Sequence, residues 1–463
     1  MANNPMSALE SVPHRVTNPE LIPAERYYDP EFFELEKEKL WPHVWQMACR
    51  LEEIPELGDF TVYTILDKSV ILVNTKNGIK AFHNACRHRG VELAQGPGNC
   101  SKTGFICPFH GWRWNPEGKN TFVFGKNIFT AELLDHAEID LAPCRVEFFA
   151  GCAFINFDDN AASLLDTLGP VATNLNARNA DKLKMDWWYA TVLPTNWKLA
   201  MEAFMEGYHT MRTHPQLQAL TPPVPSGLGE DNGDGMVPVK KMNGRQVVEQ
   251  SVEFMARLSS GMSGMVHKTE VDVIEKLRDM PVSDDPIEAL MAFYSKAREE
   301  ITKDGLERGA PMFDLPSVTE QFPIHDVEFM FPHFFLLPMF AAMSSYRIRP
   351  LTPETCLFEI WSLVLRPEGE EYDTPKQPKM LPHDSPEFPE VPQQDYDNLP
   401  KQQRGLHAGK FPGMRLSHSW EGLISNYQRL IDGYIGGVDR ESLVKANHTV
   451  NNGYNASIKD IGF

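Results

Sequence analysis

Two short pairs of cysteine and histidine, separated by eighteen residues, are the most chemically distinctive feature of the sequence. One residue separates Cys86 from His88, and two separate Cys107 from His110. A glycine follows each pair within two residues, as expected for tight loops. Thiolates supply negative charge and soft sulfur, and neutral imidazoles supply nitrogen, so four such side chains on adjoining loops could bind a metal centre.

The order of the four residues favours an iron–sulfur cluster over zinc. Each pair contains one cysteine and one histidine, whereas zinc fingers usually pair cysteine with cysteine and histidine with histidine. Two histidines in place of two thiolates on one iron of a 2Fe-2S cluster remove negative charge and raise its reduction potential. The order therefore matches that of a Rieske cluster, and the alternatives are a structural zinc site or buried cysteines without metal.

A second candidate metal site contains His209 and His214, which are five residues apart. The stretch from Leu199 to Thr213 is predicted to form a helix that ends before Pro215. Residues three or four apart share a helical face, so both histidines could bind one ion if His214 lies at the helix end. The alternative is a pair of ordinary surface or core histidines.

Composition and charge limit the classes of partner. The chain of 463 residues, 42% hydrophobic and 23% charged, is long enough for two globular domains. A formal net charge of −19 argues against binding to nucleic acid or to an anionic membrane surface. Between His83 and Lys126 the balance reverses, with six basic residues against two acidic ones. These residues are either solvated loops or a docking surface for an acidic electron donor or a neighbouring subunit.

Other features predict a cytoplasmic protein that does not cross a membrane. The five remaining cysteines are scattered, and the first residues lack a basic region followed by an apolar core, so reduced thiols and no signal peptide are expected. The most apolar run, Phe334 to Met343, is too short for a membrane span and contains Pro338.

The pattern along the chain divides it into three parts. Residues 1–42 are a helical lead-in that is expected to pack on the last part. Residues 43–158 contain short alternating apolar runs separated by turns, which predicts an antiparallel β domain with the cysteine–histidine pairs in its loops. Residues 159–463 mix helices and strands and include a helical insert at about 221–320.

Local patterns predict the individual elements. Asp29 and Pro30 begin a helix, and Asn77-Gly78 forms a turn between strands. The other predicted elements are strands at 60–63, 70–73, 148–157 and within 328–366, helices at 269–280, 286–304 and 419–435, and loops at 221–238 and 372–400.

Over most of its length the sequence resembles the large subunits of Rieske non-heme iron oxygenases. The shared motifs are CRH at 86–88, CPFHGW at 107–112, NWK…EGYH…HP at 196–215, and an acidic residue eight positions before QRG at 403–405. In this family two histidines and one carboxylate bind a mononuclear Fe(II) and leave positions open for dioxygen. The resemblance implies that His209, His214 and Asp395 bind this iron, with Asp397 as the competing carboxylate.

The resemblance also implies a role for Glu206, which lies three residues before His209 and on the same face of the predicted helix. In the family a carboxylate at this position bridges an iron-ligand histidine to a cluster-ligand histidine of the neighbouring subunit. Many members have aspartate here, and some that act on ammonium substrates have glutamate. The alternative is a solvated helix glutamate.

The fold implied by the resemblance is α+β. It combines a Rieske-type antiparallel β-sandwich domain with a helix-grip (START-like) catalytic domain that has a curved antiparallel sheet. The implied cofactors are a 2Fe-2S Rieske cluster, held by Cys86, His88, Cys107 and His110, and a mononuclear Fe(II).

The implied function is that of a terminal oxygenase, which uses dioxygen and electrons from NAD(P)H for mono- or dioxygenation. The electrons arrive through a separate reductase, with or without a ferredoxin. The implied assembly is a head-to-tail homotrimer, with or without a β subunit. The alternatives from other classes are a Rieske electron-transfer protein without oxygenase activity and a cofactor-free lyase with structural zinc.

The substrate is expected to be hydrophobic. Eleven of the 20 methionines lie between Met236 and Met343, together with several phenylalanines. This composition suits a wide, adaptable pocket for an aromatic, polycyclic, terpenoid or steroid-like substrate beneath the helical insert. Ordinary core packing explains the same residues, while Glu206 and the aromatic side chains would favour a quaternary-ammonium substrate held by cation–π contacts.

Overall fold

The computed structural model describes residues 8–217, 239–262 and 264–463. Its strands are β1 (Leu21–Pro23), β2 (Gln46–Arg50), β3 (Asp59–Ile65), β4 (Lys68–Thr75), β5 (Gly78–His83), β6 (Gly98–Asn99), β7 (Phe105–Ile106), β8 (Arg113–Trp114), β9 (Asn120–Phe122), β10 (Pro143–Phe149), β11 (Cys152–Asn156), β12 (Lys184–Leu193), β13 (Glu328–Met330), β14 (Phe334–Pro338), β15 (Met343–Thr352), β16 (Thr355–Val364), β17 (Lys379–Met380) and β18 (Gly413–Arg415).

The α-helices defined within these residues are α1 (Pro30–Leu35), α2 (His136–Ile139), α3 (Leu164–Leu168), α4 (Pro170–Asn176), α5 (Trp197–Glu202), α6 (Thr210–Thr213), α7 (Gly244–Met262), α8 (Lys268–Ile274), α9 (Pro286–Glu307), α10 (Leu315–Gln321), α11 (Glu390–Leu406), α12 (Gly422–Gly436) and α13 (Arg440–Asn451). None of the helices in the described ranges is long and apolar enough to cross a lipid bilayer. The predicted loop at 221–238, with Met236, lies outside the described residues.

The first half of the chain contains two antiparallel sheets. Seven strands pair in the order β2-β11-β10-β5-β4-β3-β6, and three pair in the order β7-β8-β9. The strands predicted at 60–63, 70–73 and 148–157 lie in β3, β4 and the β10–β11 hairpin, so these predictions are confirmed. Asn77-Gly78 lies at the predicted turn between β4 and β5. The first cysteine–histidine pair follows β5, and the second lies between β7 and β8.

The second half is built on a six-stranded sheet in the order β13-β14-β15-β16-β12-β17. β17 pairs in parallel with β12, and the other neighbours are antiparallel. The strands predicted within 328–366 are confirmed, with a tight turn where Thr352 pairs with Thr355. Phe204, just after α5, packs its ring 4.8 Å from Phe335 and 5.9 Å from Phe358, so α5 lies against one face of this sheet.

The prediction of one helix from Leu199 to Thr213 is wrong. α5 ends at Glu202, an irregular turn follows, and α6 covers only Thr210–Thr213. The backbone N–H of Gly207 donates to the side-chain oxygen of Asn455 at 2.7 Å. In a continuous helix this N–H would instead donate to the carbonyl four residues earlier. As a result, His209 stands just before α6 and His214 just after it.

The predicted loop at 372–400 is also partly wrong, because α11 begins at Glu390 and contains Pro400 in its interior. Proline removes a backbone donor and normally interrupts a helix. Here one side of α11, including Asp395, Tyr396 and Leu399, is buried in the core, and this packing outweighs the missing bond. The helices α7 and α13 were not predicted, whereas α8, α9 and α12 match predicted helices with shifted ends.

The N-terminal lead-in contacts the second half of the chain through buried charges. Arg26 forms an ion pair with Asp432, and the buried Glu36 accepts a hydrogen bond from Lys198 at 2.5 Å. The Asp29 side chain accepts the N–H of Glu31 at the start of α1, as predicted. These contacts hold the lead-in against α5 and α12.

Candidate metal centres

The two cysteine–histidine pairs lie in loops with matching backbone hydrogen bonds. The N–H of Cys86 donates to the carbonyl of Val91 at 2.8 Å, and the N–H of Cys107 donates to that of Trp112 at 2.9 Å. In each loop the glycine four residues after the cysteine donates its N–H back to the cysteine carbonyl, at 2.9 and 3.0 Å. Both glycines have positive φ, 78° and 70°, which other residues rarely adopt. The repeated geometry brings the two cysteines together and the two histidines together.

The two imidazoles of these loops are oriented by aromatic packing. The rings of His88 and His110 lie 4.6 Å apart, and the indole of Trp112 stacks on His88 at 5.1 Å with an angle of 7°. The Nδ1 atoms of both histidines are buried and have no hydrogen-bond partner among the described residues. Buried polar atoms normally have partners, so these two nitrogens are suited to bind a metal.

The two thiols of the pairs also have the surroundings of metal ligands. Burial raises the pKa of Cys86, although backbone N–H groups of His88 and Arg89 donate towards its sulfur. At Cys107 burial acts in the same direction, but N–H donation from His110 and Phe109 outweighs it and lowers the pKa. Backbone donors at both sulfurs stabilise thiolate charge, so the four side chains fit a 2Fe-2S cluster.

The structure brings the three predicted iron ligands together. One ligand atom each from His209, His214 and Asp395 lies within 4.8 Å of the others. The Asp395 Oδ1 atom is 3.2 Å from His214 Nε2 and 3.8 Å from His209 Nε2. His214 and Asp395 are buried, whereas His209 is partly exposed. Two imidazoles and one carboxylate on one side of an ion form the facial arrangement typical of non-heme iron sites.

A second layer of side chains orients both imidazoles. Glu206 Oε1 is 2.8 Å from His209 Nδ1, and Glu206 Oε2 accepts the His209 backbone N–H at 2.9 Å. Gln394 Oε1 is 2.6 Å from His214 Nδ1 and also accepts from Gln216 at 2.9 Å. An acceptor at Nδ1 fixes the tautomer in which Nε2 is free to bind a metal. The sequence analysis did not identify Gln394, because no sequence pattern marks a glutamine as the partner of a histidine 180 residues away.

Glu206 also sets the charge of this site. Burial disfavours protonation of His209, but the hydrogen bond and negative charge of Glu206 outweigh burial and raise the His209 pKa above its ordinary value. Glu206 itself is 7% exposed, so it is not the solvated glutamate of the alternative interpretation. Its contact with His209 forms through a turn rather than along the face of one helix.

An acidic cleft of about 480 Å³ opens beside His209 and Asp395. Its wall includes His209, Asp395, Glu206, Glu421 and Glu202. Burial raises the pKa of Glu202 to about 7, against the opposing effect of hydrogen bonds from neighbouring side chains. The cleft therefore offers a partner a concave surface with several carboxyl groups.

Two family models match the chain. A model of the Rieske [2Fe-2S] domain matches residues 44–123, and a model of the ring-hydroxylating alpha subunit catalytic domain matches residues 178–437, more than half of the chain. The chain belongs to the ring-hydroxylating alpha subunit family. Membership confirms the predicted cofactors, a Rieske 2Fe-2S cluster and a mononuclear iron.

Similar curated proteins include both mono- and dioxygenase subunits. The chain is 31% identical to the carnitine monooxygenase oxygenase subunit of Acinetobacter baumannii over 217 residues. The aligned segment covers 45% of this chain and 58% of that protein. The chain is also 29% identical to the biphenyl dioxygenase subunit alpha of Paraburkholderia xenovorans over 231 residues. This alignment covers 48% of this chain and 50% of that protein. The chain thus spans about half the length of the curated relatives it matches.

Solved structures share the fold over nearly the whole chain. A naphthalene 1,2-dioxygenase mutant bound to phenanthrene has a TM-score of 0.62 at 19% identity, covering 93% of this chain and 96% of that one. A quaternary ammonium Rieske monooxygenase in complex with gamma-butyrobetaine has a TM-score of 0.58 at 19% identity. The match covers 90% of this chain and 97% of that one. The predicted α+β fold, a Rieske domain with a catalytic domain on a curved antiparallel sheet, is confirmed.

Proposed function

We propose that the protein is the terminal oxygenase of a multicomponent system that hydroxylates a hydrophobic substrate with dioxygen and electrons from NAD(P)H. The observation that supports this most directly is the convergence of His209, His214 and Asp395 within 4.8 Å. A Rieske electron carrier needs only the cysteine–histidine loops and has no use for a second ligand set in another domain. The presence of both sets favours an oxygenase over a carrier.

Each set of side chains has a distinct task in this proposal. Cys86, His88, Cys107 and His110 hold the cluster, while His209, His214 and Asp395 hold Fe(II). When bound, the cluster supplies single electrons and the iron supplies dioxygen binding and activation. Glu206 and Gln394 accept from the Nδ1–H groups of the two histidines and keep the Nε2 atoms directed at the ion.

The overall reaction requires a partner that oxidises NAD(P)H. Monooxygenation consumes one substrate, one dioxygen, one NAD(P)H and one proton, and yields a hydroxylated product, water and NAD(P)⁺. Dioxygenation consumes the same reactants and places both oxygen atoms in a diol. Either reaction takes two electrons from NAD(P)H, which a separate reductase, with or without a ferredoxin, passes to the cluster one at a time.

Electron transfer between two copies of the chain is supported by complementary surfaces. Around the cluster loops several large apolar side chains are exposed, including Phe109 at 57% and Phe124 at 66%. The guanidinium of Arg89 lies 5.5 Å from the Phe109 ring, so this apolar surface is also basic. The cleft beside Glu206 is concave and acidic. We infer that the cluster loops of one copy dock in this cleft of the next, closing a ring of three.

Glu206→Gln is expected to slow electron transfer while both metal centres stay in place. The amide keeps the size of the side chain but loses the charge that stabilises two histidines across the interface. We expect cluster oxidation, followed by stopped-flow absorbance in the presence of substrate and dioxygen, to slow by about 10- to 100-fold, the range for losing such a supporting group.

Glu421→Gln is the matched control, because Glu421 lines the same cleft and is not hydrogen-bonded to either histidine among the described contacts. Its cluster oxidation should slow much less than that of Glu206→Gln, because it removes one charge from the cleft without removing the partner of a histidine. Wild-type kinetics in Glu206→Gln, with full metal content, would show that Glu206 is not the bridging carboxylate.

A hydrophobic substrate is supported by the apolar side chains around the candidate iron ligands. Phe204 packs against Phe335, Tyr346 and Phe358 on the sheet beneath the site. Buried methionines, including Met262 and Met265, belong to the same large apolar core as Phe204 and add deformable apolar surface to it. Aromatic, polycyclic, terpenoid and steroid-like compounds fit such surroundings.

A quaternary-ammonium substrate is the second candidate. Several similar proteins are named carnitine or glycine betaine monooxygenase oxygenase subunits. Aromatic rings can also bind an alkylated ammonium group through cation–π contacts. For this chain the candidate is supported by the relatives and by glutamate at position 206.

A product screen with labelled dioxygen tests the proposal. The reconstituted holoprotein, a surrogate reductase and NADH are incubated with ¹⁸O₂ and with naphthalene, phenanthrene, a terpenoid, a steroid, carnitine and gamma-butyrobetaine. Labelled oxygen in a product of one of the first four compounds is the expected result. Labelled products only from the last two would move the assignment to the ammonium class, and consumption of NADH without any labelled product would contradict an oxygenase.

A further inference from the structure

A second cavity, of about 420 Å³, shares none of its described lining residues with the cleft beside His209 and Asp395. Its wall combines the end of the lead-in, the end of β11 and the corner between α12 and α13. Ile424, near the start of α12, lines the metal-site cleft, whereas Ile435, near its end, lines this cavity. At 1.5 Å per residue these two positions are roughly 16 Å apart along the helix axis. A molecule in the second cavity would therefore not be a substrate at the iron.

One part of the cavity wall is apolar. Ile435, Val438 and Leu443 line it from the α12–α13 corner, and Trp45 lines it from the first half of the chain. The indole N–H of Trp45 already donates to the carbonyl of Ala162 at 3.0 Å, so the polar atom of this ring is satisfied within the protein. This part of the wall therefore suits the hydrocarbon portion of a ligand.

Another part of the wall is basic. Lys39, His43 and Arg440 line the cavity, and Asp158 is the one acidic residue among its described lining residues. Asp158 is 3.5 Å from the His43 ring and 4.0 Å from Arg440, which are long distances for ion pairs. Lys39 has no ion pair with any residue that the structure describes. Two permanent cations against one carboxylate make this wall positive, although the chain as a whole has a net charge of −19.

Asn156 adds a buried hydrogen-bond donor to the same wall. The residue is 1% exposed and lines the cavity at the end of β11. Its Oδ1 atom accepts the backbone N–H of Asp158 at 2.9 Å, which fixes the orientation of the amide. The Nδ2 group has no acceptor within the described ranges of the chain. Because buried donors normally have an acceptor, this amide is suited to bind an oxygen atom of a ligand.

We propose that this cavity binds a small organic monoanion, namely a carboxylate with an aromatic or branched apolar body. A carboxylate only accepts hydrogen bonds, so its oxygens match the donors of Asn156, Lys39 and Arg440, while its body matches the apolar wall. The charge of Asp158 disfavours a dianion such as a phosphate monoester, and the two cations disfavour a quaternary ammonium. A volume of about 420 Å³ lies in the range of small-molecule sites. This site is additional to the proposed oxygenase site and does not depend on it.

A matched pair of ligands tests the site by binding alone. 1-Naphthoate and 1-naphthylmethanol share one ring system and differ in charge. In calorimetric titrations of the anaerobic holoprotein, 1-naphthoate should bind about tenfold more tightly, the effect expected of one hydrogen bond to a charged group. An increase in ionic strength from about 0.05 to about 0.5 M should weaken the binding of 1-naphthoate and leave that of the alcohol unchanged, because salt screens exposed charges.

Three substitutions in the wall should reduce the preference for 1-naphthoate. Lys39→Met and Arg440→Gln should each weaken its binding by about two- to fivefold, the range for exposed charge pairs, and leave the alcohol unaffected. Asn156→Asp keeps an oxygen for the N–H of Asp158 but replaces the free donor by negative charge, so it should abolish the preference. Melting temperature and the visible cluster spectrum are measured for every variant.

Lys37→Met is the matched control for the loss of charge. Lys37 lies two residues from Lys39, is 3.2 Å from Glu34 and does not line the cavity. The same change in net charge should leave the binding of 1-naphthoate unaltered. Asp395→Ala is the second control, and it should also bind 1-naphthoate like the wild type.

Equal affinities for the acid and the alcohol, or an unchanged preference in Lys39→Met, Arg440→Gln and Asn156→Asp, would overturn the carboxylate site. Loss of 1-naphthoate binding in Asp395→Ala alone would place the ligand at the iron and overturn it as well. These titrations require no turnover, so a protein that incorporates no labelled oxygen can still have this site, and an active oxygenase can lack it.

Discussion

Cys107→Ser is expected to abolish the 2Fe-2S cluster and all substrate oxygenation. Serine cannot supply the soft thiolate that iron requires, and the Cys107 sulfur lies within interaction distance of that of Cys86. The visible absorption of the oxidised cluster should disappear. Iron should fall from about three to about one per chain, since the cluster contains two irons.

Cys100→Ser provides the control for this change. Cys100 is a buried cysteine of the same small apolar core, and its backbone N–H donates to the carbonyl of Gly58 rather than to a loop of the cluster site. Burial raises the pKa of Cys100 to about 11, so its thiol stays protonated. Its serine variant should keep the visible spectrum. A full cluster spectrum in Cys107→Ser, or its loss only in Cys100→Ser, would contradict the ligand assignment.

Asp395→Ala is expected to remove the mononuclear iron and leave the cluster intact. The carboxylate is 3.2 Å from His214 Nε2 and 3.8 Å from His209 Nε2, and it supplies the charge that holds a divalent ion between two neutral imidazoles. Iron affinity at this site should fall by more than about 100-fold, because loss of a supporting residue alone costs 10–100-fold. Oxygenation should fall below detection, measured beside iron content and the cluster spectrum.

Asp397→Ala is the matched control two residues further along α11. Asp397 is exposed, while Asp395 is buried on the side that faces the histidines. The control should therefore keep three irons and near wild-type turnover. Retention of the mononuclear iron in Asp395→Ala with its loss in Asp397→Ala would transfer the ligand role to the second aspartate.

The cysteine–histidine loops could be predicted because their geometry is encoded locally. The loop around Cys86 and the loop around Cys107 are each closed by hydrogen bonds over five residues and by a glycine with positive φ. Spacing alone therefore indicates where the four side chains point. The antiparallel strands were predictable for the same reason, since a two-residue alternation is visible over short segments.

The carboxylate ligand could not be predicted from local pattern. Asp395 lies on α11, a helix with an internal proline that the sequence favoured as loop, and only the resemblance to the family indicated its role. The helix forms because Tyr396 and Leu399 pack into the core, a contact that depends on residues far away in the chain. Gln394 was missed because a glutamine becomes recognisable as a partner of His214 only once the distance is known.

The position of Glu206 shows how a correct contact can follow from an incorrect element. The three-residue spacing to His209 predicted a shared helical face, but the chain is not helical there. The contact forms because the Glu206 carboxylate accepts the backbone N–H of His209 while it also reaches the ring. Such local bonds between a side chain and the backbone stabilise turns as readily as helix ends.

A single-turnover experiment tests most directly whether the two metal centres act together to insert oxygen. The holoprotein, with both centres filled, is reduced without a reductase and mixed with ¹⁸O₂ in the presence or absence of a substrate found in the screen. We expect rapid oxidation of the cluster only when substrate is present, together with ¹⁸O in the product. Oxidation of the cluster at the same rate with and without substrate, and no labelled product, would contradict the account.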